Sequence, residues 1–144
     1  MEKNKNFVVI LAIFILTAFM TTIRVQARQH QEEHLTSCKT NLKRIGTALE
    51  MYSTDWSGRY PTDLEALVPA YIDELPVCPA ADSFSYQLEL GTESPHNESG
   101  MQDYYYLCCQ GENHFDVGVP GDFPAIDSIS CGGPEQWHGS LSGR

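Results

Sequence analysis

Phe7 to Ile23 reads FVVILAIFILTAFMTTI, and without a Gly or Pro break it leads into a segment that ends Asn41-Leu42-Lys43-Arg44-Ile45-Gly46-Thr47-Ala48-Leu49-Glu50-Met51-Tyr52. The apolar run carries no charge, and as a helix it measures roughly 26 Å against a hydrocarbon core of about 30 Å, enough to cross a bilayer. Beyond it, Leu35, Cys38, Leu42, Ile45, Leu49 and Tyr52 recur at alternating spacings of three and four. That spacing is one apolar stripe on a helix, and so narrow a stripe needs a surface to pack on. The layout is a membrane anchor, a stalk and a small head. Phe7, Ile10, Leu11, Ile13, Phe14, Leu16, Phe19 and Ile23 are the anchoring residues, and Leu35, Leu42, Ile45, Leu49 and Tyr52 hold helix to head.

Four segments follow: a short N-terminal segment 1–6 on the cytoplasmic side, a transmembrane helix 7–23, its amphipathic continuation 24–56, and a head domain 57–144. Ser57-Gly58 stops the helix. Thr62 and Glu65, in capping-box spacing ahead of Leu64, Leu67 and Val68, predict a second short helix that Pro69 limits. Leu75-Pro76-Val77-Cys78-Pro79 is extended, fixed by its prolines. Phe84, Tyr86, Leu88 and Leu90 alternate with polar residues as a strand does, and 91–100 is a polar loop. Tyr104 to Cys109 and Phe115 to Val119 predict two more strands, joined as a hairpin through Gln110-Gly111-Glu112-Asn113. From Pro120 onward the chain is rich in Gly, Pro and Ser, with Trp137 pinning an irregular tail. The fold class is α+β, a long helix against a small antiparallel sheet.

The charge is lopsided. The chain of 144 residues has a formal net charge of −10, and beyond Arg59 its only basic residue is Arg144. A head without a basic stripe excludes nucleic acid as a partner. No phosphate loop, nucleophile elbow or dinucleotide fingerprint is present, so the chain reads as non-enzymatic with no small-molecule substrate. His30-Gln31-Glu32-Glu33-His34 matches the bare H-x-x-E-H pattern of a zinc peptidase. It falls just past the apolar run, on a stalk that offers no cleft or third ligand, so it reads as a solvated helix face. Lone His114 and His138 read as hydrogen-bonded or exposed.

A second reading of the front end stays open. Lys3 and Lys5 precede the apolar run and Val25-Gln26-Ala27 satisfies the small-residue rule for signal peptidase, giving a secreted or periplasmic acidic binding module released after Ala27. Against it, the run is longer than a usual signal core, and Arg24 separates it from the cleavage site. Five cysteines in so small a protein suit an oxidising compartment. They allow two disulfides and one free thiol, in arrangements that spacing cannot separate, and none has the CxxC spacing of a zinc or redox site. Adjacent Cys108 and Cys109 point to opposite faces if they lie on a strand, so at most one easily faces the core.

The stretch Cys38-Lys39-Thr40-Asn41-Leu42, Ile45-Gly46, Ala48-Leu49, Tyr52, Asp55, Gly58, Tyr60-Pro61 and Leu75-Pro76-Val77-Cys78-Pro79-Ala80-Ala81 resembles the G-type, or major, pseudopilins of type II secretion and, more broadly, the type IV pilins. Cys109-Gln110-Gly111-Glu112-Asn113-His114 and Phe123-Pro124 resemble the C-terminal part of such proteins. The resemblance implies a pilin-like fold and a structural subunit or accessory of a type II secretion or type IV pilus-like assembly. Other pilin-like subunits or secretion-system components are its implied partners. It also implies a single pass of the bacterial inner membrane, with the head in the periplasm or outside the cell. It favours Cys109 as a disulfide partner, for which Cys78 in its rigid segment is the first choice and Cys38 the remaining candidate. It further implies calcium as the one candidate cofactor, with Glu112, Asn113, Asp116, Asp122 and Asp127 as oxygen ligands. The front end departs from the family. Where members carry a Gly before the Phe and a Glu four residues after it, this chain has Asn6 and Leu11 around Phe7. The departure implies a degenerate member that stays as an anchored subunit and does not polymerise like a major pilin.

Overall fold

In a computed structural model of the protein, residues 2–119 and 121–129 are described, with side chains from Phe7 onward. The tail around Trp137, His138 and Cys131 lies outside the described residues. Helix α1 runs unbroken from Glu2 to Asp55, about 80 Å at the helical rise. Gly46 is the only helix breaker within it. The helix ends as Ser57 and Gly58 turn to positive φ and the Gly58 N–H reaches back 2.8 Å to the Ser53 carbonyl, the left-handed close that leftover carbonyls favour.

The two halves of α1 meet different surroundings. From Phe7 to Ile23 every side chain is exposed, among them Phe14 at 68% and Leu16 at 63%. The hydroxyls of Thr17, Thr21 and Thr22 donate back to the carbonyls of Phe14, Ala18 and Phe19 at 2.8–2.9 Å, so this stretch presents an apolar surface. It makes α1 long and apolar enough to cross a membrane. Past Ser37 the helix is clasped by the rest of the chain. Cys38, Leu42, Ile45 and Leu49 are fully buried, while Leu35 and Tyr52 at either end are half-buried. Each large apolar side chain so covered contributes about 1.5–3 kcal/mol.

Among the described residues the sheet has three antiparallel strands in the order β1-β2-β3: β1 Tyr86–Leu90, β2 Tyr105–Cys109 and β3 Ala125–Asp127. Tyr86 stands opposite Cys109, and Leu107 opposite Ile126. The period-two rule sends Tyr105, Leu107 and Cys109 toward α1 and Tyr106 and Cys108 to the other face. Helix and sheet approach closely at Gly46, where a Cβ would lie 2.7 Å from Ile126 Cδ1 and 3.3 Å from the Tyr105 hydroxyl. Polar ties reinforce the docking: Asn41 Nδ2 donates to the Val77 carbonyl at 2.9 Å, and Tyr60 Oη to Glu50 at 3.1 Å.

Two expectations from the sequence need correction. Phe115 to Val119 is not a strand, and no hairpin forms through 110–113. Phe115–Val117 is a single 3-10 turn closed by Gly118 at φ 81°, and Phe115 is 66% exposed. An alternating pattern broken by a left-handed glycine does not sustain a strand. The third strand is instead Ala125–Asp127. The second helix is one 3-10 turn, Leu64–Leu67, capped by Asp63, not Thr62, through a 3.0 Å bond from the Glu65 N–H. Cys108 and Cys109 point to opposite faces as expected, Cys109 toward α1, and both are buried, because the outer face of the sheet is also covered. There His96 stacks on Tyr106 at 3.8 Å, and Phe123 packs against the Tyr104, Tyr106 and Cys108 cluster.

Candidate metal centre

Where α1 meets the head, four side chains from separate parts of the sequence converge. Cys38 comes from the buried stripe of α1. Cys78 opens a tight turn in which its carbonyl accepts from the Asp82 N–H at 2.9 Å and its own N–H donates to Ser83 O at 3.1 Å, with Asp82 at φ 52°. The two prolines around Cys78 leave this turn little freedom. Cys109 ends β2 on the face toward the helix, its N–H donating to the Pro124 carbonyl at 3.0 Å. His114 follows after a turn through Gly111 at φ 97°, steadied by Asn113 Nδ2 donating to the Gln110 carbonyl at 2.9 Å.

The three sulfurs and one imidazole nitrogen all lie within 4.8 Å of one another. His114 Nε2 is 3.5 Å from Cys78 Sγ and 3.9 Å from Cys109 Sγ. Cys38, Cys78 and Cys109 have no exposed surface and His114 only 1%. Polar groups ring the sulfurs. Tyr86 Oη donates toward Cys38 Sγ at 3.7 Å, Asn113 Nδ2 toward Cys109 Sγ at 3.8 Å, and Ser85 Oγ lies 3.2 Å from that same sulfur. The other ring nitrogen, His114 Nδ1, is buried without a hydrogen-bond partner.

The electrostatics of the cluster follow from its crowding. Hydrogen bonds to Cys109 and Cys38 hold the Cys78 thiol well below the ordinary thiol range, against the opposing effect of burial and with help from His114. Cys38 moves the other way, because it gives its proton toward Cys109 and Cys78 and is itself buried. Burial disfavours a charged His114 ring, yet its bonds to Cys109 and Cys78 outweigh that and push its pKa up to about 9. The lowered Cys78 thiol and the raised His114 ring favour a thiolate beside an imidazolium. Cys108, one residue away on the opposite face, is a different case: burial pushes its thiol up to about 12, with Asp122 and Glu89 adding to the effect.

The structure brings Cys78, Cys109 and Cys38 together, but all three are free thiols, and His114 joins them. The disulfide expected between Cys78 and Cys109 is not formed. The proposed oxygen ligands are not gathered in the same way. Asp127 lies in β3, buried, and accepts from the Ile129 N–H at 2.9 Å; Asp122 accepts from the Gly111 N–H at 3.3 Å. Glu112 and Asp116 are exposed, and the Asn113 amide serves Gln110 and Cys109. Among the described residues, the one group of three or more His, Cys, Asp or Glu side chains with converging ligand atoms is the Cys3His cluster.

The rings of His30 and His34 in the H-x-x-E-H stretch meet at a tilt of 58° with centroids 4.1 Å apart, and His30 lies 4.0 Å from Glu33. Among the described residues no third ligand joins them. Reading the cysteines only as disulfide halves, and His114 as a lone histidine, misses the cluster. The signal for it was the C-x4-H spacing from Cys109 to His114 in a glycine turn, beside a cysteine fixed between prolines. In comparisons with models of known families, with curated proteins and with solved structures, nothing matches this chain.

Proposed function

We propose that the protein is a non-enzymatic, pilin-like membrane protein, a structural subunit or accessory of a type II secretion or type IV pilus-like assembly. The observation that carries this reading is the division of one continuous helix: an exposed apolar half from Phe7 to Ile23, then a half whose buried stripe is docked on an antiparallel sheet. A helix of that kind anchors a head at a fixed distance from the bilayer and leaves its apolar half free for lipid or for the same half of neighbouring subunits. The head lies outside the cytoplasm, on the far side of the inner membrane, and its acidic surface keeps it soluble there.

Leu11 bears on how the protein assembles. A carboxylate within the apolar half would need a partner there, which in pilin-like proteins registers one subunit against the next; leucine neither needs nor offers that contact. The chain therefore acts as an anchored subunit and not as the polymer's main building block. Carbonate washing of membranes tests the anchor. The protein is expected to stay in the pellet, and release into the wash would favour the soluble module cleaved after Ala27. Filaments formed by the purified wild-type chain alone would contradict the non-polymerising role.

A further inference from the structure

We propose that Cys38, Cys78, Cys109 and His114 bind one zinc ion, which fastens the stalk helix to the head. This inference stands on the head's own geometry and does not depend on the membrane or assembly reading.

A tetrahedral zinc site with Zn–S bonds of about 2.3 Å and a Zn–N bond of about 2.0–2.1 Å places its ligand atoms roughly 3.5–3.8 Å apart. The two sulfur-to-imidazole distances, 3.5 and 3.9 Å, bracket that span, and all four ligand atoms fall within 4.8 Å. A disulfide needs only two of the three sulfurs, at about 2.05 Å, and accounts for neither the third cysteine nor the histidine. Three soft sulfurs and an imidazole select zinc over calcium or magnesium, which take oxygen ligands.

The site is closed. Four protein ligands without solvent exposure leave no open position for water or substrate, which makes the ion structural and not catalytic. Binding leaves three thiolates and a neutral imidazole on the ion, forms three Zn–S bonds and one Zn–N bond, and releases to solvent the protons that these four groups carried. The resulting centre carries one net negative charge, and Tyr86, Asn113 and Ser85 surround its sulfurs with polar groups able to share it. The ligands come from the helix, from the Cys78 turn and from the end of β2 with the turn after it. One ion therefore joins three segments that otherwise depend on a small apolar core.

The test uses the full chain purified without chelator, in mild detergent. Metal analysis and native mass spectrometry are expected to find about one zinc per chain in the wild type, as for a closed four-ligand site. Cys108→Ala, on the opposite face of the sheet, is expected to keep the zinc, and Cys109→Ala to lose it. His114→Cys, which exchanges one zinc ligand for another, is expected to keep the metal. Cobalt exchanged into the wild type should give thiolate-to-metal charge-transfer bands and the visible absorption of a tetrahedral ion, a readout that needs no variant to fold. Wild type without zinc, carrying a disulfide within Cys38, Cys78 and Cys109, would overturn the proposal. So would zinc retained at full level in Cys109→Ala, or calcium in place of zinc.

Discussion

Leu42→Ala probes the contact that joins stalk to head. Leu42 is fully buried in the cluster that also holds Cys38, Ile45, Tyr86 and Cys109. The substitution removes three carbons, worth about 0.8 kcal/mol each in transfer from water, and a residual cavity of about 40 Å³ adds about 1 kcal/mol. The expected loss is therefore about 3 kcal/mol, a roughly 150-fold fall in the ratio of folded to unfolded head. A head of 88 residues, 57–144, has only about 4–13 kcal/mol in total, so the loss is a large part of it. Urea unfolding of the detergent-solubilised chain, followed by the near-UV dichroism of the buried Tyr86, Tyr104, Tyr105 and Tyr106, measures it. With a slope of roughly 1–1.5 kcal/mol/M, the midpoint should drop by about 2–3 M. Leu11→Ala, at a position 50% exposed on the apolar half, should leave the midpoint where it is. A shift under about 0.5 M in Leu42→Ala, or an equal shift in Leu11→Ala, would refute the division of the helix into a free half and a docked half.

Gly46→Leu should undock the helix more severely than any truncation of the stripe, since even a Cβ there falls 2.7 Å from Ile126 Cδ1; native head that still unfolds at the wild-type midpoint would contradict that close approach. The head should also weaken at high pH. Burial, ahead of the carboxylates of Asp127 and Glu89, pushes Tyr104 up to about 12, and burial likewise raises Tyr86 and Tyr106. Between the ordinary tyrosine value of about 10 and those raised values the unfolded chain holds fewer phenol protons than the folded one, so stability is complete below about pH 10 and falls as pH rises beyond it. Phenolate absorbance of these three should then appear together with unfolding, and early, independent ionisation would contradict their burial. Addition of a strong zinc chelator should lower the urea midpoint of the wild type, and leave that of Cys109→Ala unchanged.

How much of this was legible in the sequence differs from element to element. The helix was readable because 3.6-residue periodicity in Leu42, Ile45 and Leu49 and an uncharged run before it are local signals. The strands around Tyr86 and Tyr105 were readable for the same reason. Residues 115–119 were not, because apolar alternation looks the same whether or not a glycine takes positive φ, and Gly118 does. The burial of Cys108 depended on His96 and Phe123 covering the outer face, a contact between distant segments that no pattern encodes. The Cys3His cluster was hidden by distance along the chain, since Cys38, Cys78 and Cys109 meet only once the helix has docked. Only its Cys109 to His114 part was short enough to notice.

The central claim is that Phe7–Ile23 remains with the mature protein as the anchor of a docked head. The intact mass of the protein taken from its native membrane tests this directly, because it fixes the N-terminal residue. The account predicts a mass that includes Phe7–Ile23, retained in the membrane fraction. A chain beginning at Arg28 and recovered in soluble form would contradict it.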